Sequence, residues 1–245
     1  DDWLYDHLGA YGWTVEIWCP QREAGIAAFG PDKPEGGYRF IDWYREHPTD
    51  DDLKLLKWSD DALGGRGFVE WRPFDHPQLG AVEIGGWDSA YCWRNPPNER
   101  LEAEVARFPR WLLWHALISP LIVIREAQAV TLGNGVCRLR VVVENEGWLP
   151  TYGSKKALER KAARAPVVEI ELPEGASLEI GKVREELQHL EGRAYKTAAA
   201  IGWGADPTEE RVKLEYVIRG GSGGTARIRV RCERAGRAEA EVELP

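Results

Sequence analysis

Methionine is absent from the chain. A chain without it does not start at an initiation codon, and it reads as a processed product or a fragment. No apolar run reaches the roughly 20 residues that a bilayer-spanning helix needs, so a membrane-spanning role is excluded at this level. No signal peptide is legible either. Cysteine is sparse: Cys19, Cys92, Cys137 and Cys232 lie far apart, with no C-x-x-C pair. That spacing excludes zinc-finger and thioredoxin-like chemistry. Cys137 and Cys232 sit in strand-like runs and suit buried thiols. Free thiols and a cytoplasmic location are the expectation. No basic face emerges from a chain of net charge −8, which excludes a nucleic-acid partner. Histidine is scarce as well, and none of His7, His47, His76, His115 or His189 begins a His-x-x-Glu motif.

What is present is an ordinary globular composition, 43% apolar and 29% charged, in a chain long enough for two modest domains. The acid is uneven. Residues 1–120 carry nearly twice as many acidic as basic side chains, whereas residues 121–245 are balanced. This shift places a domain boundary near residue 120.

The first 18 residues are the most informative. Asp1 to Leu8 reads as a helical turn that Asp1 and Asp2 can cap and Gly9 can end. Trp13, Thr14, Val15, Ile17 and Trp18 favour a strand. Glu16 is the anomaly within it, because a carboxylate in an apolar run is expensive to desolvate. By itself that residue reads as a solvated or ion-paired strand position.

The chain then leaves through a loop containing Arg22, Pro31 and Pro34. A helix is predicted over Tyr38–His47, stopped by Pro48. Thr49 to Asp52 supplies caps for a second helix bearing Leu53, Leu55, Leu56 and Trp58. Short strands at Phe68–Trp71 and Ala81–Ile84 flank a loop in which Asp75 and His76 act as a turn device. Glu99–Ser119 has strong helical periodicity, with Pro109 marking a kink or restart and His115 inside an apolar stripe. Ten of the 12 tryptophans fall in residues 1–114, where packing explains them better than a ligand-binding row. From Leu121 onward about seven short strands alternate with glycine-marked turns, which predicts an immunoglobulin-like sandwich. The basic stretch Lys155–Arg164 reads as a solvated loop or short helix. Gly220–Gly224 reads as a hairpin loop.

The order Asp1-Asp2-Trp3-Leu4-Tyr5-Asp6-His7-Leu8-Gly9, followed by Tyr11, Thr14 and Glu16, resembles the C-terminal active-site segment of the zinc carboxypeptidases. The interval from Asp2-Trp3 to Glu16 matches that family's spacing between its Asp-Trp pair and its catalytic glutamate. The match departs after Glu16, where Ile17-Trp18 replaces the family's Leu-Arg. The resemblance implies an α/β fold: residues 1–120 as the C-terminal portion of an α/β/α mixed-sheet peptidase domain, and residues 121–245 as an accessory β-sandwich. It implies hydrolysis at the C-termini of peptide substrates, with Glu16 as the general base that deprotonates a zinc-bound water. It implies that Asp1 lies at the base of a pocket for C-terminal Lys or Arg. Zinc is the implied cofactor, with its ligands upstream of residue 1. The alternative expectation is a non-catalytic interaction protein that joins a peptidase remnant to an adhesion-like sandwich.

Overall fold

The computed structural model describes residues 1–30, 40–195 and 208–245. It divides into two compact units, one formed by Val15–Trp111 and the other by Asp1–Thr14 together with Leu112–Pro245.

In the unit Val15–Trp111, α1 spans Pro20–Glu23, α2 Phe40–Trp43 and α3 Thr49–Leu63. The predicted helix begins at Tyr38, but residues 38 and 39 lie outside the described residues, as do Pro31 and Pro34. Helix α3 forms where expected, but by a different device. Its cap position is Pro48, with no capping side chain, and Asp50 to Asp52 occupy the first turn, where negative charge complements the helix dipole. Asp51 turns inward. It accepts hydrogen bonds from Trp43 Nε1 at 2.9 Å and Lys54 Nζ at 2.8 Å.

Two small aromatic cores hold this unit. Trp18 packs with Trp58, Leu63 and Cys92, and its Nε1 donates to the Cys92 carbonyl at 2.7 Å. Ile26, Ala28, Trp43 and Leu55 form the second core. Strands β1 (Phe68–His76) and β2 (Gly80–Trp87) form an antiparallel hairpin longer than the short runs suggested. His76 Nδ1 accepts from the amides of Gln78 and Leu79, each at 3.2 Å, so it serves the turn as expected. Helices α4 (Asn98–Ala106) and α5 (Phe108–Ile118) replace one long helix, parted at Arg107 just before Pro109.

The apolar stripe of those helices is not a core face. Neither α4 nor α5 contains a buried residue, and Leu113 and Leu117 are 64% and 76% exposed. The packing reading of the tryptophans likewise holds for Trp18, Trp43 and Trp58 but not for Trp3, Trp13, Trp71 or Trp114, which are exposed.

The second unit carries two four-stranded antiparallel sheets in the manner of a β-sandwich. The first sheet runs β3-β4-β8-β6, with β3 at Ile122–Gly133, β4 at Val136–Asn145, β6 at Ser177–Ile180 and β8 at Arg211–Arg219. The second runs β10-β9-β5-β7, with β5 at Val167–Glu171, β7 at Arg184–Glu186, β9 at Thr225–Cys232 and β10 at Gly236–Glu243. Alternation makes the core. Leu139, Val141 and Val143 of β4, Tyr216 and Ile218 of β8, and Ala226, Ile228 and Val230 of β9 all point into one continuous apolar interior. A short helix, α6 (Lys155–Glu159), lies in the basic stretch.

The segment Gly220–Gly224 joins β8 to β9, which belong to different sheets, so it is a crossover rather than a hairpin loop. Cys137 and Cys232 are buried, and all four cysteines are free thiols. Among the described residues every strand pairing is antiparallel, and no helix is long and apolar enough to cross a membrane.

Asn145 closes the end of β4. Its Oδ1 accepts from the amides of Leu121 at 2.9 Å and Gly147 at 3.1 Å. Its Nδ2 donates to the carbonyls of Leu149 at 2.8 Å and Glu191 at 3.0 Å. One buried amide side chain thus uses both of its ends to satisfy four main-chain groups.

Candidate functional site

Asp1 and Glu16, the two residues singled out by sequence, fall in different compact units, because the division runs between Thr14 and Val15. Their surroundings are therefore described separately.

The turn that follows Asp1 forms as a short π-helical stretch, Leu4–Leu8. Its cap position is Trp3 and it carries no capping side chain. Asp1 instead bends back on its own neighbourhood. Its Oδ1 accepts from the Asp2 amide at 2.8 Å, its Oδ2 accepts from Thr14 Oγ1 at 3.4 Å, and its carbonyl accepts from the Tyr5 amide at 3.2 Å. Asp1 and Thr14, both of which carry the sequence resemblance, are thus brought together. Gly9 ends the turn in the left-handed conformation, as predicted (φ 57°). Around this turn Trp3, Leu4, Tyr5, Leu8, Tyr11 and Trp13 are all exposed. His115 stands against Trp13 and Trp114, with ring centroids 5.1 and 5.0 Å apart, and is only half-buried rather than a core histidine.

Glu16 does not lie on a strand. Residues 9–19 have no regular structure, because a β-prone run becomes a strand only when a neighbour offers a hydrogen-bonding edge, and no described strand pairs with it. The Glu16 side chain is exposed. Its charge is felt at Tyr44. Burial pushes the Tyr44 phenol above its ordinary value, the Gln21 amide opposes this by donating to the phenolic oxygen at 3.0 Å, and the nearby Cys19 and Glu16 reinforce the rise. Gln21 itself is fully buried, and its Oε1 accepts from the Cys19 thiol at 3.4 Å. Glu16 is therefore a solvent-facing carboxylate in the electrostatic neighbourhood of the Tyr44 phenol.

Among the described residues no group of three or more His, Cys, Asp or Glu side chains is placed to hold a metal ion. In the resemblance the zinc ligands lie upstream of residue 1, and the described residues do not by themselves form that site. A cavity of about 590 Å3 lies on the sandwich, lined by Glu169, Ile170, Glu171, Arg184, Arg227 and Arg229. Its charges neutralise one another across strands: Arg184 with Glu169 at 2.6 Å, Arg229 with Glu171 at 3.1 Å and Arg227 with Glu241 at 2.8 Å.

Sequence reasoning did not find Arg234. It sits in the turn between β9 and β10 and binds main-chain carbonyls, which leave no side-chain signature to read. It also did not find the inward Asp51, because three consecutive aspartates before a helix read as caps. The i, i+3 spacing of Asp51 and Lys54 was the available signal.

No curated protein matches the chain. Solved structures resemble it distantly. The GAE domain of GGA2p from Saccharomyces cerevisiae is 14% identical over 52% of this chain and 90% of that one, with a TM-score of 0.29. The CARDB domain of a Pyrococcus furiosus protein is 14% identical over 51% of this chain and 94% of that one, with a TM-score of 0.26. The superoxide reductase (neelaredoxin) from Ignicoccus hospitalis is 12% identical over 60% of this chain and 90% of that one, with a TM-score of 0.24. A family match falls on residues 121–243, which is half of the chain and takes in all eight strands of the two stacked sheets, so the chain belongs to the family described as Domain of unknown function (DUF8731).

Proposed function

We propose that residues 1–120 are the C-terminal portion of a zinc metallocarboxypeptidase catalytic domain of α/β/α architecture, and that residues 121–245 are an accessory immunoglobulin-like sandwich. In this reading the zinc ligands come from residues outside this sequence. The observation that carries the proposal is the β-prone run around Glu16: Val15 and Ile17 are apolar and exposed, and no described strand pairs with them. A further strand of a peptidase sheet would cover these side chains and give the run the edge it lacks.

Glu16 is the general base. It accepts a proton from the attacking water and returns it to the nitrogen of the departing residue as the peptide bond breaks. Asp1 supplies negative charge for a C-terminal Lys or Arg of the peptide substrate. The test is Glu16→Gln in the longer, zinc-loaded protein that this reading requires. Loss of about 100-fold or more in kcat is expected for removal of a general base, and retention of most activity with zinc bound would overturn the assignment. Equal rates on peptides ending in Phe and Arg would remove the role of Asp1.

A second reading, a non-catalytic interaction protein with a peptidase remnant and an adhesion-like sandwich, draws on the exposed aromatic side chains Trp3, Tyr5, Tyr11 and Trp13, which suit a partner surface. Metal analysis of the longer protein separates the two. Stoichiometric zinc supports the enzyme, and its lack supports the interaction protein.

A further inference from the structure

Arg184, Arg227, Arg229 and Arg231 of the second sheet pair with carboxylates on neighbouring strands. Arg234 differs. Its Nη1 donates to the carbonyls of Tyr152 at 3.0 Å and Gly9 at 3.3 Å. Its Nη2 donates to the carbonyl of Ala162 at 3.1 Å and to that of Leu8. One guanidinium thus gathers main-chain oxygens from three separate chain segments. Two of those oxygens, Leu8 and Gly9, belong to the last residue of the Leu4–Leu8 turn and its cap, where a helix leaves carbonyls without internal partners. Ser154 Oγ donates to the Gly9 carbonyl as well, at 2.6 Å.

Shape matches charge at this spot. A Cβ on Gly9 would come within 2.6 Å of the Ala157 amide nitrogen, Cα and Cβ alike, so the turn meets the main chain of α6 directly. Ala157 is fully buried there. A Cβ on Gly153 would press on the Arg234 guanidinium at 2.9 Å. Two glycines and an alanine thus clear the space into which the arginine fork and the turn fit together. Fixed donors aimed at carbonyls read backbone shape, not side-chain identity, and the glycine at position 9 serves both the close approach to Ala157 and its own left-handed φ.

We infer that the sandwich carries a docking seat, made by Arg234, Ser154 and Ala157, whose occupant is the glycine-ended turn Leu4–Gly9 of this same chain, and that the sandwich thereby positions the segment bearing Asp1. Arg234 is a positioning residue. The seat stands on geometry alone, while its consequence for substrate selection rests on the peptidase reading.

Hydrogen exchange read by mass spectrometry on the intact chain tests it. The Gly9 and Ala10 amides are bonded within the turn, to the carbonyls of Tyr5 and Leu4. Arg234→Ala is expected to speed exchange of peptides covering residues 1–14 by about tenfold or more, while peptides from β9 keep their protection. Ser154→Ala, which removes the other side-chain donor to the Gly9 carbonyl and leaves the backbone of the turn unstrained, is expected to speed exchange in the same peptides and covers the case in which Arg234→Ala fails to fold. Arg234→Lys keeps the charge but loses the fork and is expected to resemble Ala. Unchanged exchange in residues 1–14 for Ser154→Ala, or full rescue by lysine, would overturn the seat. If the segment loosens as expected but the preference of the longer protein between C-terminal Arg and Phe does not move, the seat stands and the peptidase role of Asp1 falls.

Discussion

The sandwich and the unit Val15–Trp111 solve the burial problem in opposite ways. The sandwich encloses one large continuous interior built by alternation, with cross-strand ion pairs on its surface and buried polar groups, Glu144 and Asn145 among them, at the end of β4. The other unit splits its apolar material between two small clusters centred on tryptophans and secures them with buried polar groups: Gln21, Asp51 and Ser59. A large apolar interior needs no directional bonds to be specific, whereas small aromatic clusters lean on the indole N–H and its acceptor. The sandwich should therefore be governed by packing, and the helical unit by hydrogen bonds and pH.

The largest effect tests packing. Leu139 is fully buried between the sheets, and Leu139→Ala should destabilise the sandwich by about 2–5 kcal/mol in denaturant unfolding. Leu55→Ala, equally buried but in a cluster with only four buried members among the described residues, should cost less, because a small cluster closes on the cavity more readily. An equal or larger loss for Leu55 would break the comparison. Next in size is Trp43→Phe, which keeps an aromatic ring, though a smaller one, and removes the donor to Asp51 Oδ2 while Lys54 still holds Oδ1. About 1–3 kcal/mol is expected for a buried acceptor atom left without its donor. A neutral result would mean that packing governs this unit as well.

Acid and base sharpen the contrast further. Burial raises the Asp51 carboxyl, but hydrogen bonds from Lys54 and Trp43 outweigh it and hold the group below the usual carboxylate range. A depressed pKa contributes stability that is present above about pH 4 and is lost as pH falls through the folded value. His47 moves the other way: the hydrogen bond to Asp52 raises it, against the opposing effect of burial. Its contribution is complete below about pH 6.5 and is lost as pH rises through the folded value. The helical unit should thus melt highest between these limits. Thermal scans followed by tryptophan fluorescence check this: Asp51→Asn should flatten the acid arm and His47→Gln the alkaline arm. The alkaline effect is the smaller, since Asp52 is more than half exposed and solvent screens the pair. Smallest of all is Arg229→Ala on the sandwich. An exposed cross-strand pair contributes under about 1 kcal/mol, so the unfolding midpoint should barely move.

The same contrast explains what the sequence made legible. In the sandwich, strand positions follow from alternation, and seven of the eight strands fall where the pattern puts them. The eighth, Arg184–Glu186, is too short to show a period. Pairing was less legible: the glycines of 220–224 announce a turn but not that the chain changes sheets there. In residues 1–120 periodicity misled. Phe108–Ile118 has a stripe that belongs in a core, yet its leucines are exposed, because a pattern states what could be buried and not whether a partner is present. The run Trp13–Trp18 failed as a strand for the same reason. At the site, Gly9 was legible as a helix end and Thr14 as part of the motif. The seat around Arg234 was not, since main-chain carbonyls look alike in every sequence.

Asn145 has a kinetic consequence. Its four bonds join Leu121, Gly147 and Leu149, beside the end of the β3–β4 pair, to Glu191, 46 residues further along the chain, so the set is complete only once that long span has closed. An interaction of that kind is absent from an early transition state and acts as a latch on the finished structure. Asn145→Ala should leave the refolding rate nearly unchanged and accelerate unfolding, so the lifetime of the sandwich, more than its speed of formation, is set by one amide side chain.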